Sequence, residues 1–166
     1  MNWLKQEQDN RRTFIDTLCE LAENDKSIML LICDTGFNYI EKFKNRFPNQ
    51  FLNLGVTEPF SMIFAAGLSL VGRKVYIYSM IPFITFRTME QIRNAVVKHN
   101  TSVKIIGVKG SSAYKMLGFS HNLLFDNEDE YHLKPYMACR FPKNNEEVRN
   151  FILWDYKVDK PVYMRI

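Results

Sequence analysis

The sequence has few of the features that would place it outside the ordinary globular class. Its three cysteines, Cys19, Cys33 and Cys139, are odd in number and far apart, which fits reduced thiols and indicates neither a disulfide framework nor a zinc site. No apolar run approaches the roughly 20 residues needed to span a bilayer, and the first residues lack the apolar core of a signal peptide. We therefore expect a cytoplasmic protein without a membrane segment.

Charge of one sign is also not concentrated anywhere in the chain. The 22 Lys and Arg residues exceed the 18 Asp and Glu residues by four, and they are scattered, so nucleic-acid binding is not indicated. No Gly-x-Gly-x-x-Gly segment or P-loop follows a predicted strand, which leaves a flavodoxin-like or nucleotide-binding protein without support. With 46% hydrophobic residues in 166, the chain can bury the core of one domain.

What the sequence does contain is a regular alternation of helical and strand patterns. Helical spacing is predicted over residues 12–24, 38–48, 59–71, 87–99 and 144–156, and apolar strands over 27–34, 51–56, 73–80, 102–110, 136–141 and 161–166. This order predicts an α/β, doubly wound fold, with a mainly parallel five- to six-stranded sheet and helices on both faces. We assign residues 1–11 to an N-terminal extension and 12–166 to one domain, in which helix 59–71 is predicted to be buried.

Ligands of such folds gather at the carboxyl ends of the strands, and Glu58 is the notable residue there. It stands between a turn at Gly55 and an apolar run with almost no charge. One interpretation is that its carboxylate only complements the N-terminus of the following helix. The other is that apolar surroundings make the carboxylate costly to ionise, so that it can share a proton with a bound base.

From about Arg12 to its end, the chain resembles the pyrimidine-binding domain of the transketolase-like thiamine diphosphate enzymes. Six segments in family order carry the resemblance: "ICDTG", "FPNQFLNLGVTEP", "AAGLSLVGRKVYIYS", "RTMEQIRN", "GFSHN" and "KPVYMRI". The resemblance implies the thiamine diphosphate-binding fold and an active site shared with another domain.

The resemblance also implies roles for particular residues near the cofactor. The Glu58 carboxyl would donate a hydrogen bond to a ring nitrogen of the cofactor's aminopyrimidine, favouring the imino tautomer that generates the nucleophilic ylid. Phe83 in "SMIPFITFR" would stack on the pyrimidine, with Phe86 as the alternative. A phenylalanine that merely fills the core between strand and helix remains the competing interpretation.

Further candidates follow from the same resemblance. His121 matches a catalytic histidine that faces the substrate's hydroxyls, although a loop histidine satisfied by backbone would give the same pattern. Asp34 matches an aspartate close to the cofactor, or caps the next helix. Lys109 could reach a substrate phosphate or be a solvated loop lysine. His99 and His132 have no such context and are expected at the surface.

The sequence departs from the family pattern at several positions. Pro59 replaces the common glutamine after the glutamate, and Leu117 stands where an aspartate normally contacts a sugar hydroxyl. The phosphate-binding Arg-Pro reads "CRFP", so Phe141 takes the matching position and Arg140, the candidate for substrate binding, comes one residue earlier. Phosphosugar specificity is therefore not carried over.

No Gly-Asp-Gly segment with a downstream asparagine, which would hold a divalent metal and the diphosphate, occurs in these residues. The resemblance therefore implies a chain that is inactive alone and forms a heterotetramer, paired through its pyrimidine-binding domains, with a diphosphate-binding subunit. That subunit would hold the Mg²⁺ or Ca²⁺ of the shared thiamine diphosphate. The leading prediction is two-carbon ketol transfer between sugar or sugar-phosphate substrates. The alternatives are a subunit of a 2-oxo acid decarboxylase or dehydrogenase, and a catalytically silent module that binds a partner.

Overall fold

A single parallel sheet forms the centre of the protein. The structure, a computed structural model, describes residues 9–108 and 115–166. The strands in these ranges are β1 (Ile28–Ile32), β2 (Phe51–Asn53), β3 (Lys74–Met80), β4 (Val103–Val108), β5 (Ala138–Arg140) and β6 (Val162–Arg165). They lie in the order β2-β1-β3-β4-β6-β5, and every neighbouring pair is parallel. All carboxyl ends therefore meet at one edge of the sheet.

Short and long helices connect the strands. They are α1 (Asn10–Asn24), α2 (Glu41–Arg46), α3 (Glu58–Leu70), α4 (Ile81–Thr85), α5 (Met89–Gln91), α6 (Glu128–Leu133) and α7 (Asn145–Asp155). A π-helical segment, Ile92–Val97, follows α5, and 3-10 turns occur at Pro48–Gln50, Lys115–Leu117 and Phe119–His121. Parallel strands need such crossovers, because each strand must start again at the same edge.

The sheet is buried on both faces, as the doubly wound prediction requires. One core joins alternate strand residues to α1, α2 and α7, through Phe14, Phe43 and Ile152 among others. The opposite core joins the remaining strand residues to α3, α4 and α6, including Met62 and Leu133. The predicted α/β architecture with helices on both faces is confirmed.

The first helix illustrates how local sequence sets these elements. Asp9 is its N-cap, and a carboxylate oxygen of Asp9 accepts a hydrogen bond from the Arg11 backbone N–H at 3.1 Å. Phe14 and Leu18, one turn apart, are completely buried against the sheet. The helix thus begins at Asn10, and the domain boundary at residue 12 stays a prediction.

The segment between β3 and β4 differs from the prediction of one amphipathic helix over residues 87–99. Its regular α-helical part is only Met89–Gln91, and the π-helical segment follows. Before it lies α4, a short helix that is not predicted from the sequence and that contains Pro82. Proline is tolerated in a first helical turn, where its missing N–H has no intrahelical acceptor, and that is where Pro82 lies.

Helix α3 is not buried all round, contrary to the prediction. Its inner face, with Met62, Ala65 and Ala66, packs on the sheet. Its outer face exposes Phe60 and Ile63, whose accessible fractions are 58% and 54%. The apolar composition was read correctly, but only one side of the helix finds a partner within the described residues.

Two further observations bear on the expectations from composition. All three cysteines are free thiols, and Cys19 and Cys33 are buried. In the part of the chain that the structure describes, no helix is long and apolar enough to cross a membrane.

Candidate active site

Glu58 lies at the carboxyl edge of the sheet, as the first residue of α3. The chain enters the helix through Gly55, whose φ of +70° is a left-handed conformation that favours glycine. The Thr57 hydroxyl then donates to the Leu54 carbonyl oxygen at 2.7 Å, and Pro59 occupies the first turn without needing an acceptor. This turn directs Glu58 inward, so that only 1% of the residue is accessible.

The Glu58 carboxylate has a charged partner. A guanidinium nitrogen of Arg87, Nη1, lies 2.8 Å from Glu58 Oε2, whereas the Arg87 side chain keeps 42% of its surface accessible. The expectation of apolar surroundings is therefore wrong, because the Arg87 guanidinium lies within hydrogen-bonding distance of this carboxylate. Both interpretations of Glu58, helix complement and proton-sharing group, remain compatible with its position at the start of α3.

Small polar side chains surround the buried end of this site. Cys33 follows β1, Ser61 lies one turn into α3, and Ser79 is near the end of β3; all three are buried. Burial raises the pKa of the Cys33 thiol to about 11, and the nearby Glu58 charge adds to this, although hydrogen bonds with Ser61 and Ser79 act in the opposite direction. The thiol therefore stays protonated near neutral pH and is not a nucleophile.

Phe83 connects Arg87 to His121. The guanidinium carbon of Arg87 lies 4.2 Å from the centroid of the Phe83 ring, within the range of a cation–π contact. The His121 ring meets Phe83 edge-on, with centroids 4.9 Å apart and an angle of 79° between the planes. Glu58, Arg87, Phe83 and His121 thus form one continuous row of contacts at the carboxyl edge.

Phe86, the alternative stacking residue, takes part in a different contact. Its ring lies edge-on to that of His132, with centroids 4.9 Å apart. His132 is exposed, as expected from the sequence. Within the described residues, Phe83 and not Phe86 therefore contacts the row that includes Glu58.

His121 ends a 3-10 turn that begins after Gly118, whose φ is +81°. Its Nδ1 is 3.0 Å from the Ser120 hydroxyl, and either atom can donate. The side chain is partly accessible, and the bond to Ser120 involves Nδ1 and leaves Nε2 out.

Asp34 lies at the same edge, directly after β1, with a left-handed φ of +48°. The Asn53 side chain, at the end of β2, donates to Asp34 Oδ1 at 3.2 Å and accepts from the Asp34 backbone N–H at 3.1 Å. The interpretation that Asp34 caps the next helix is wrong, because α2 has Ile40 as its N-cap and no side-chain cap bond. The Asp34 side chain is exposed and joins β1 to β2.

Arg140 does not join the row of contacts. Its guanidinium pairs with Asp155 at 3.1 Å, and Asp155 is the last residue of α7, which returns to the amino edge of the sheet. The rings of Phe151 and Trp154 lie 5.5 and 5.3 Å from its guanidinium carbon. Lys109 lies outside the described residues.

A second buried carboxylate at the carboxyl edge is already satisfied. Asp129 is 0% accessible, accepts a hydrogen bond from the Tyr163 hydroxyl at 2.5 Å, and pairs with Arg165 at 2.9 Å. Within residues 9–108 and 115–166, no group of three or more His, Cys, Asp or Glu side chains could hold a metal ion.

The sequence alone does not predict the contact of Arg87 with Glu58, although both residues belong to segments that resemble the family. A helical turn does place Arg87 four residues after Phe83, on the same side. Glu58 and Arg87 are 29 positions apart and meet because α3 packs against β3 and α4, and no local pattern reveals this pairing.

Comparison with known proteins assigns this geometry to a family. Residues 6–166 match the family model described as "Transketolase, pyrimidine binding domain". The chain belongs to this family. Its Phe83 and its buried Glu58 thus lie in a transketolase-type pyrimidine-binding domain.

Several known proteins are similar to the chain. It is 32% identical over 157 residues to a subunit of the apulose-4-phosphate transketolase of Phocaeicola vulgatus, covering 94% of this chain and 50% of that protein. It is 26% identical over 157 residues to a subunit of the 6-deoxy-6-sulfo-D-fructose transketolase of Clostridium sp. strain MSTE9, covering 94% and 48%. The chain therefore spans about half the length of these relatives.

A solved structure shows the same fold. The protein described as "Split gene transketolase, inactive beta4 tetramer" superposes with a TM-score of 0.81 at 27% identity, over 94% of this chain and 50% of that one. The parallel sheet and its two helical layers are thus those of a transketolase-type domain.

Proposed function

We propose that this chain supplies the pyrimidine-binding half of a split, thiamine diphosphate-dependent transketolase-like enzyme. The observation that carries the proposal is the Glu58 carboxylate, which is 1% accessible at the carboxyl edge of the sheet. Its ion-pair partner, the Arg87 guanidinium, also lies over the Phe83 ring. Membership of the pyrimidine-binding family supports the same assignment.

The residues around Glu58 fit an aminopyrimidine. The Arg87 head group, which is planar, positively charged and rich in N–H donors, bonds to Glu58 and lies over Phe83, and this supports the proposal. When bound, the cofactor supplies a nucleophilic carbanion for breaking and forming carbon–carbon bonds. In this proposal Glu58 holds a proton against a ring nitrogen, and Phe83 fixes the ring by stacking.

The remaining candidates have separate roles in the proposal. His121, whose ring borders Phe83, hydrogen-bonds the hydroxyls of a sugar-like substrate. Asp34 borders the cofactor from the end of β1, and Lys109 offers a cation to a substrate phosphate. The ion pair of Arg140 with Asp155 argues against the phosphate role first considered for Arg140.

Exposed apolar surfaces on both sides of the site support its completion by another polypeptide. One is the outer face of α3, with Phe60 and Ile63, and the other includes Leu117 and Phe119 in the His121 segment, all at least half accessible. Exposed apolar areas next to a candidate site are typical of protein contacts. We propose that a diphosphate-binding subunit covers them in a cytoplasmic heterotetramer and holds the Mg²⁺ or Ca²⁺.

The experiment that tests the proposal is reconstitution with a candidate diphosphate-binding subunit, thiamine diphosphate and Mg²⁺, followed by a ketol-transfer assay. Glu58→Gln removes the ionisable proton and is expected to lower turnover by about 10²-fold or more, because general acid–base groups contribute this much. Glu146→Gln, the same change at an exposed position of α7, is the matched control. Unchanged turnover in Glu58→Gln would contradict the proposal.

One observation favours a second candidate reaction. Leu117 is 50% accessible and lies in the segment that carries His121, at the position of a sugar-binding aspartate in the family. An apolar side chain there suits a substrate with fewer hydroxyls, such as a 2-oxo acid. Parallel assays with ketose phosphates and 2-oxo acids separate these substrate classes, since the preferred class gives the higher kcat/KM.

A further inference from the structure

Arg87 contacts both groups that the proposed function assigns to the cofactor ring. Its Nη1 bonds to Glu58 Oε2 at 2.8 Å, and its guanidinium carbon lies 4.2 Å from the Phe83 centroid. A guanidinium is flat, delocalised and rich in N–H donors, which are also properties of a protonated aminopyrimidine. The arginine head group and the ring would therefore compete for the same carboxylate and the same aromatic surface.

The burial of Glu58 explains why a substitute partner is needed. A carboxylate with 1% accessibility is costly to leave unpaired, because burial removes its water of hydration. Around this side chain, Ser61 and Cys33 are neutral, and Arg87 is the cation that forms an ion pair with it among the described residues. Glu58 is thus paired and points inward before any ligand arrives.

Arg87 is also suited to leave. With 42% of its side chain accessible, it borders solvent already, and a long arginine side chain can extend its head group into water without moving the backbone. The Glu58 backbone, in contrast, is fixed at the start of α3 by the Gly55 turn. The arginine is therefore the mobile member of the pair.

We propose that Arg87 is an internal placeholder for the aminopyrimidine, which pairs with Glu58 in the free site and must withdraw when the ring binds. The proposal rests on the proposed function, since it presumes that Glu58 and Phe83 hold the ring. Arg87 is then a positioning residue that keeps Glu58 paired in the free site and lowers the affinity of the site for the cofactor. Removal of Arg87 should therefore tighten cofactor binding, although it removes a contact from the free protein.

The test measures thiamine diphosphate binding by titration calorimetry, in the presence of Mg²⁺, to the complex reconstituted with the diphosphate-binding subunit. Arg87→Met keeps the apolar stem and removes the competing head group, and we expect binding about five- to tenfold tighter than in the wild type. Arg87→Lys should fall between the two, because an ammonium retains the charge but not the planar fork. Arg93→Met, at an exposed arginine bonded to Asn94, is the matched control and should bind as the wild type does.

Urea unfolding of the chain alone provides a second readout. Arg87→Met should lower the unfolding midpoint, and the same change made in Glu58→Gln should lower it much less, because the carboxylate that needs pairing is gone. Equal effects in both backgrounds would show that the pair does not stabilise the free protein, and would overturn the proposal.

The two proposals fail in different ways. If the wild-type complex binds the cofactor and the Arg87→Met complex binds it equally or more weakly, the placeholder role is overturned and the proposed function stands. If the wild-type complex binds no cofactor, although the partner binds the chain, both proposals are overturned.

Discussion

The two edges of the sheet both bury a charge, but they satisfy it differently. At the amino edge, Lys104 is 3% accessible, and its ammonium donates to the backbone carbonyls of Val158 and Lys160 at 2.6 and 2.7 Å. At the carboxyl edge, Glu58 is 1% accessible and is paired with the half-exposed side chain of Arg87. Backbone acceptors are fixed, whereas an arginine head group can leave.

This difference separates a structural charge from a functional one. Burial lowers the pKa of Lys104 to about 8, so the fold bears a cost for placing an ammonium there, and the carbonyl acceptors offset it. Glu58 has instead a partly accessible side chain as its partner, which in our proposal a ring nitrogen replaces. We infer that the amino edge holds the fold together and that the carboxyl edge is available for chemistry.

The largest expected effect in a test of this comparison is on turnover. Glu58→Gln should cost about 10²-fold or more in the reconstituted enzyme, while its unfolding midpoint changes little, since the amide still fits the site. A large loss of stability with normal turnover would reverse the roles of the two edges.

Lys104→Met should show the opposite pattern. We expect the free energy of unfolding to fall by about 1.5–3 kcal/mol, the range for hydrogen bonds to a charged group, because the carbonyl oxygens of Val158 and Lys160 lose their ammonium donor. Turnover per folded molecule should equal that of the wild type. It is obtained by dividing the measured turnover by the folded fraction from the urea titration. Lys98→Met, at an exposed lysine, is the control and should leave both quantities unchanged.

Asp25, also at the amino edge, allows the structural role of that edge to be tested by the pH dependence of stability. Burial acts to raise its pKa, but hydrogen bonds from Ser27 and Tyr156, with the Lys74 charge, lower it from 3.8 to about 2. The Asp25 carboxylate thus binds a proton less readily in the folded state than in the unfolded state. The stabilisation that Asp25 contributes to the fold is therefore present above pH 3.8 and is lost as the pH falls through 2.

Asp25→Asn should therefore reduce the free energy of unfolding by about 1–2 kcal/mol at pH 7, and the difference from wild type should vanish near pH 2. Urea titrations at a series of pH values measure this. Asp126→Asn, at an exposed aspartate, serves as the control. A difference that is independent of pH would contradict the assignment.

The smallest expected effect distinguishes the two phenylalanines. Phe83→Leu should weaken thiamine diphosphate binding to the reconstituted complex by about fivefold, the equivalent of one aromatic stack of about 1 kcal/mol. Phe86→Leu, which is the same substitution beside His132, should change it by less than about twofold. The reverse order would assign the stacking role to Phe86.

The fold was largely predictable from the sequence because its strands are short, apolar and separated by helical patterns. The completely buried residues Leu30, Ile77 and Ile105 belong to three such strands. The prediction failed where tertiary context decides: no helix is predicted over the residues of α4, and the apolar outer face of α3 finds no cover within the described residues.

The candidate site was predictable only in part. Glu58 stood out as one carboxylate in an apolar stretch, and its burial follows from that pattern. Its partner could not be inferred, because Arg87 meets Glu58 where α3 packs against β3 and α4, a contact between elements that are distant in the sequence. Arg140 was judged by its position beside the family's phosphate-binding residue, and the Asp155 side chain that holds it lies 15 residues away on a returning helix.

The most direct measurement is a crystal structure of the chain bound to its diphosphate-binding partner, thiamine diphosphate and Mg²⁺. We expect a Glu58 carboxyl oxygen within about 2.6–3.2 Å of a ring nitrogen, with the ring against Phe83 and the Arg87 head group displaced from Glu58. A cofactor ring bound elsewhere, with the Glu58–Arg87 ion pair intact, would contradict the central claim.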